Sequence, residues 1–402
     1  VNKVIVGSLA IVFAAISGCK SNSASQSDVH RELSAQTLSL GINYVPEELS
    51  ETYSSLLGFN RYTKVTAPNG KAIHIIAQDK LSDNQIIRAR SVLEHYLMPY
   101  PGSEYGADKT AVANRMAEND AILLLLNGSD DGTNRAAELD GQPLYRDEIQ
   151  VEGHHWYIEQ NYDHRDATFE EILHLVHDTG IGVDQYESFI GILPAYQAEI
   201  RNAQVSALAG GIWGIGSESQ DWIEELRDEN SLSQEYLASV VDSYYGLWGA
   251  WTESKSHGMW GVYIAKTRDE ILSEDKLGAQ LMRNKFFHPY LTYNARIDES
   301  FSGDFSLRFD QNNPYTHHSH YLKDITLTGN NDVNVIVNQL DNDITGNYGK
   351  NTVIFSGDSS QYHISSNQDG KVMVSDLIDG RDGVNTLSHV ELAEFKDKIV
   401  SL

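Results

Sequence analysis

The sequence holds a single cysteine, Cys19, in 402 residues. Intramolecular disulfides and thiolate metal sites are therefore excluded, and any bound ion must use imidazole and carboxylate ligands. Positive charge is scarce too: 30 Lys and Arg stand against 57 Asp and Glu, for a formal net charge of −27. That balance argues against a nucleic-acid partner, which needs a basic footprint. Beyond Ala15 no apolar run approaches the ~20 residues required to cross a bilayer. Nucleophile-elbow, phosphate-loop and dinucleotide fingerprints are all missing. Gly210 to Gly216 is glycine rich but follows no strand, and reads as a turn between helices.

What is present begins at the N-terminus. Lys3 precedes an apolar run from Val4 to Ala15, broken only by Gly7 and Ser8, and Ile16-Ser17-Gly18-Cys19 follows. This is the order of a secretory signal. The Ile-Ser-Gly-Cys ending resembles the lipobox of bacterial lipoproteins. The resemblance implies cleavage before Cys19, a lipid on its thiol, and an exported chain tethered to a membrane, at the outer membrane or cell surface in a Gram-negative cell. Loss of residues 1–18 removes Lys3 and no acid, leaving a charge of −28. A plain signal peptide with an incidental cysteine is the alternative. Residues 20–40 are rich in Ser, Asn, Gln and Ala, so 19–45 reads as a flexible tether.

Residues 46–300 carry an α+β pattern. Arg61 to Asp79 alternates around Ala72–Ala77, as a strand does. Ser82 can cap a helix running to Tyr96, and a second helix fits Lys109–Glu118. Ala121 to Leu126 is a short apolar run, expected as a buried strand, and 128–150 a polar loop. Helices are expected at 168–179, 195–208, 219–228, 232–251 and 268–284, with helical character ending near Tyr293. Residues 301–326 read as a linker or β segment, and 327–402 as a separate β-rich module.

The most informative stretch is Thr168 to Ile181. Thr168 and Glu171 have capping-box spacing, and Gly180 is a natural C-terminal stop. Glu170, His174 and His177 fall at i, i+4 and i+7, one stripe of a helix, where a carboxylate and imidazoles can converge on a metal. A structural reading needs no metal. Glu170 and His177 suit the two ends of the helix dipole, and His174 can be a core histidine.

Glu170-Glu171-Ile172-Leu173-His174 resembles the His-Glu-x-x-His helix of zincins, most nearly the gluzincin type of the lethal-factor-like peptidases. Glu235-Tyr236-Leu237-Ala238 is similar to the downstream Glu motif of that family. The resemblance implies a zincin-like fold, a small mixed sheet plus a mainly helical second half. It implies Glu170, His174 and Glu235 as ligands of Zn2+ or another divalent metal, Glu171 as general base, and a peptide or protein substrate. His177 or Tyr245 would steady the oxyanion. Glu170 stands where the family has His, which makes the donor set harder and less suited to zinc. The rival expectation is a surface protein that keeps the fold without catalysis. The aromatic residues of 236–263 suggest a third, carbohydrate-directed role.

Other candidates are fainter. His154-His155-Trp156-Tyr157 and Tyr162-Asp163-His164 could line a cleft or form an aromatic loop. His317, His318 and His320 could bind a transition metal, though an inter-domain loop is favoured; His288 reads as core packing. From Leu327 onward, Gly329, Gly346 and Gly349 punctuate Asn, Asp and Val in a pattern that resembles the calcium repeats of repeats-in-toxin proteins. The resemblance implies Ca2+ near Asp332, Asp341 and Asp343, with affinity reduced because Asn347 and Asn351 replace repeat residues.

Overall fold

The structure, a computed structural model, describes residues 32–184, 189–253 and 257–402. Cys19 and the signal-like segment lie outside the described residues. Among those described, no helix is long and apolar enough to cross a membrane.

The chain is a mixed α/β protein with a β-rich C-terminal region. Its first sheet has the order β1 (Phe59–Thr66), β2 (Ala72–Gln78), β3 (Ile122–Leu126), β4 (Gln142–Tyr145). β1 and β2 form an antiparallel pair; β2, β3 and β4 run parallel. Two-residue periodicity sorts the side chains. Ile73, Ile75, Ala77, Leu123 and Leu125 enter the main core, while Ile76, Leu124 and Leu126 pack with Tyr53, Phe59 and Tyr62 on the other face. Each such fully buried Leu or Ile is worth about 1.5–3 kcal/mol against exposure. The β2–β3 crossover carries the helices Asp83–Leu97 and Thr110–Glu118. Ser82 and Gln85 form a capping box at the start of the first.

Several expectations are corrected. Residues 32–45 are no tether: Ser34 caps a short helix, Thr37 donates to Asp83 (2.7 Å), and Asn43 exchanges backbone bonds with Tyr62. The 128–150 loop contains β4, which Pro143 and a four-residue length conceal in the sequence; Pro is tolerated because β4 is an edge strand. The helix expected at 232–251 spans Leu232–Tyr244. Beyond it Gly246 adopts φ +75°, where a Cβ would lie 1.9 Å from the His317 carbonyl oxygen. The 268–284 helix is two, Arg268–Glu274 and Lys276–Met282. Asp275 breaks it by capping Gly278 N–H while accepting the Tyr236 and Tyr263 hydroxyls.

The β-rich region starts at Leu291 rather than 327. β5 (Leu291–Ile297), β6 (Gly303–Ser306) and β7 (Leu322–Leu327) already belong to it. They are followed by β8 (Val333–Ile336), β9 (Asn342–Thr345), β10 (Asn351–Ile354), β11 (Tyr362–Ser366), β12 (Val372–Asp376), β13 (Val384–Ser388), β14 (Leu392–Glu394) and β15 (Ile399–Ser401). The chain steps between two sheets, ordered β15-β14-β10-β8-β6 and β11-β12-β13-β9-β7-β5. Neighbours are parallel except where β11, β12 and β15 close the ends. Phe305, Val335 and Val353 from one sheet and Ile325, Ile344 and Leu387 from the other are buried.

Candidate metal centre

The central helix, Thr168–Val176, begins where Asp166 Oδ1 accepts the Thr168 N–H (3.1 Å). Asp166 is itself held by buried Arg88, which also pairs with Glu152. The Thr168–Glu171 capping box does not form. Thr168 Oγ1 is buried without a partner, and Glu171 instead accepts from Gln142 Nε2 on β4 (2.7 Å). Nor does the helix stop at Gly180. It continues as a π turn, His177–Gly182, and closes at Gly182, with φ +105°. Gly180 serves packing, since a Cβ there would meet Met116 at 2.7 Å. Such π turns often lie at functional sites.

Glu170 and His174 from this helix meet Glu235, in the first turn of Leu232–Tyr244. One ligand atom from each lies within 4.8 Å of the other two. His174 Nε2 is 3.6 Å from Glu235 Oε1, and Nδ1 is 3.6 Å from Glu171 Oε2; Nε2 is buried and makes no hydrogen bond. Burial pushes the His174 imidazole down, but Glu235, with Glu171 and Glu170 behind it, reverses this and carries its pKa up to about 10. Burial raises Glu235, partly offset by His174. Burial would raise Glu171 as well, yet His174, Arg165 and Gln142 hold it below the usual range.

His177 and Tyr245 are not brought to this point. His177 lies ~10 Å along the helix axis from Glu170, at 1.5 Å per residue. It is fully buried, with Nε2 on Gln197 Oε1 (2.6 Å) and a pKa pushed down to about 4 by burial. Tyr245 follows the end of the Glu235 helix, and its hydroxyl is bound by His288 O (2.7 Å) and His95 Nε2 (3.0 Å). Both side chains are engaged with these other groups.

The site contains groups that the motif does not reveal. Arg165 pairs with Glu170 and lies under the exposed ring of Trp260, 4.5 Å from its centroid. Buried Asp242 receives the Trp248 indole N–H (3.2 Å), and its second oxygen has no partner; burial, then Glu170, push its carboxyl well above the usual range. Glu148 rises to about 7 through burial and the neighbouring Glu171 and Glu170, against the pull of Arg165. Asp242 follows Glu235 by seven residues on one helix face, a spacing visible in the sequence. Arg165 follows a short 3-10 turn and Glu148 ends another, Arg146–Glu148, and neither leaves a periodic signal.

The remaining candidates take structural places. His154 caps a short helix, His155–Glu159, and Tyr157 from that helix packs against Tyr315 and His318. The 316–320 segment is a short helix in the interior, not a loop. His318 is fully buried and bonded to Tyr245 O (2.7 Å). His288 is half-buried against Tyr100, as expected of packing. Asp332, Asp341 and Asp343 do not gather into one cluster of three side-chain ligands. Among the described residues, the one cluster of three such ligands is Glu170, His174 and Glu235. Asp332 and Asp341 each accept a backbone N–H, from Lys350 and Val384 (both 2.8 Å). The turns are held by asparagine amides: Asn347 donates to Thr328 O and Asn331 O and accepts from Asn351, while Asn342 donates to Lys323 O and Asn338. An amide both donates and accepts, so each of these side chains ties one turn to the next.

The donor set suits a divalent ion. A tetrahedral ion with ~2.1 Å bonds separates its ligands by about 3.4 Å, and His174 Nε2 already stands 3.6 Å from Glu235. A buried nitrogen without a partner, facing carboxylates, is what a metal ligand leaves when the ion is removed. No protein-family model, curated protein or solved structure matches this chain.

Proposed function

We propose that the chain is a metal-dependent hydrolase of zincin-like type, exported and tethered through Cys19. The orphaned, buried Nε2 of His174 between Glu170 and Glu235 carries this reading. Glu170, His174 and Glu235 would hold the ion, which supplies Lewis acidity and a water of lowered pKa when bound. Glu171 projects from the same helix beside His174, is partly open to solvent, and is kept ionised by its neighbours. In this reading it would take a proton from a water and return it to a leaving group. Gln142 fixes the orientation of that carboxylate from the sheet edge. One nitrogen and two oxygen donors favour a harder ion than a two-histidine site does.

The Arg165–Glu170 pair supports a second reading, a non-catalytic protein in which a guanidinium takes the cation's place. Elemental analysis of the purified mature chain separates the two. One divalent ion per chain, lost in His174→Ala, supports the hydrolase. No ion after dialysis against zinc, manganese or calcium leaves the non-catalytic reading. Acyl labelling that disappears in Cys19→Ala tests the tether.

A further inference from the structure

The turn that carries Trp260 takes no part in the metal chemistry above. The Gly258 N–H closes it on Tyr263 O (2.8 Å). Met259, Trp260 and Gly261 follow one another at φ +39°, +53° and +87°. Glycine reaches this left-handed region freely and asparagine tolerates it, but methionine and tryptophan are strained there. The strain is held from below. Met259 is 1% exposed, and its sulfur accepts the Ser239 hydroxyl (2.7 Å). Ser239 lies about one turn after Glu235 on the same helix. The turn is therefore anchored to the helix that supplies a candidate ligand.

Trp260 is held outward by this anchor and is 45% exposed. The Arg165 guanidinium lies 4.5 Å from its ring centroid, and Trp248 meets it edge on (5.2 Å, 69°). What remains open lies on the side away from the guanidinium. Arg165 also pairs with Glu170, so the ring stands within about 9 Å of that carboxylate, the reach of one guanidinium and one charge-assisted hydrogen bond. Backbone strain of this kind gathers where a protein grips a ligand. Tryptophan offers a large, rigid contact surface for one.

Charge narrows the class. Arg165 already occupies one face of the indole, so it repels a second cation placed on the ring. Glu171 and the net charge of −27 disfavour an anion. A neutral, apolar side chain meets neither penalty.

We propose that Trp260 is the substrate-selecting platform of the candidate centre, and that it receives an aromatic or large aliphatic side chain beside the bond to be hydrolysed. The proposal rests on the metal-dependent reading above.

The test titrates the full mature chain, loaded with zinc, with acetohydroxamate and 3-phenylpropanohydroxamate in a calorimeter. Both chelate through the same group, and only the second carries a ring. The phenyl compound should bind about tenfold tighter, the scale of one aromatic contact with its buried area. Trp260→Asn removes the ring with a residue that suits the left-handed turn. It should abolish most of that gain and leave acetohydroxamate affinity within about twofold, whereas Trp260→Phe should keep part of the gain. Circular dichroism checks that both variants fold. If acetohydroxamate binds but the phenyl ring adds less than about twofold, or if Trp260→Asn leaves the gain in place, the proposal is overturned and the metal reading stands. An equal gain for 4-aminobutanohydroxamate overturns the apolar selection. Loss of zinc itself in Trp260→Asn makes the indole a shield for the Arg165–Glu170 pair, and overturns the proposal too. If the parent retains no zinc and neither compound binds, the metal reading has failed and takes the proposal with it.

Discussion

Metal binding at the candidate centre should be strongly linked to a proton. His174 must be neutral to donate a lone pair, yet its carboxylate neighbours hold its pKa at about 10. At pH 7 the neutral imidazole is then about one part in a thousand, which costs about 4 kcal/mol of apparent affinity at ~1.4 kcal/mol per pKa unit. Affinity should rise nearly tenfold per pH unit from 7 toward 10. Calorimetry in buffers of different ionisation enthalpy should count close to one proton released per ion at pH 8. Stability of the metal-free chain moves oppositely. A folded pKa above the unfolded 6.5 gives a contribution present below 6.5 and lost as pH rises through about 10. The effect needs the carboxylates, so Glu235→Gln should flatten the pH dependence while weakening binding. An affinity unchanged between pH 7 and 9, with no proton released, would refute the reasoning even if a metal binds.

Three further outcomes are expected. Burial lowers His318 to about 4, so its contribution is present above pH 6.5 and lost as pH falls toward 4; urea melts should show a loss of up to ~3 kcal/mol in that window, reduced in His318→Gln. Millimolar calcium should not raise the melting temperature of the β-rich region, because asparagine amides close its turns; a rise of several degrees would contradict this. Glu152→Gln removes one of the two carboxylates on fully buried Arg88 and should cost about 3–5 kcal/mol in chemical denaturation, the penalty for an undercompensated buried charge.

Much of this arrangement is written in local patterns. Ser82 and Gln85, the alternation at Ile73–Ala77 and the apolar run Ile122–Leu126 announce their elements, since each is decided within a few residues. The Glu170–His174 spacing and Glu235 likewise bring their ligand atoms together in space. What escapes the sequence is decided by tertiary contact. β4 is short and proline-bearing, and forms only because β3 offers it an edge. Asp275 looks like mid-helix sequence until Tyr236 and Tyr263 converge on it. The amide bonds by which Asn347 and Asn351 tie one turn to the next are likewise visible only in the structure. His177 has the right spacing on a helix but is fully buried against Gln197.

Arg165 and Glu170 are best understood as one unit. Five carboxylates, Glu148, Glu170, Glu171, Glu235 and Asp242, crowd a small volume, and two unit charges 4 Å apart interact by about 4 kcal/mol at an effective dielectric of 20. The crowding is relieved by raising Glu148 and Asp242 and by placing Arg165 against Glu170. A histidine at 170, as the zincin motif has, would leave Arg165 without its nearest partner in a site where its side chain is only 14% exposed. Glu170→His alone should therefore destabilise the fold by about 2–4 kcal/mol, and Arg165→Gln alone by a similar amount, since each strands a buried charge. The double variant removes both members of the pair together. It should recover at least ~1 kcal/mol of the summed loss, as side chains in direct contact do. It should also bind zinc more tightly than the parent, with two imidazoles and one carboxylate as donors. Denaturant melts and zinc titrations of the four proteins measure both quantities. Losses additive within ~0.5 kcal/mol would show that the guanidinium and the carboxylate act independently, and a double variant that binds zinc no better than the parent would show that the ligand at 170 does not limit the site.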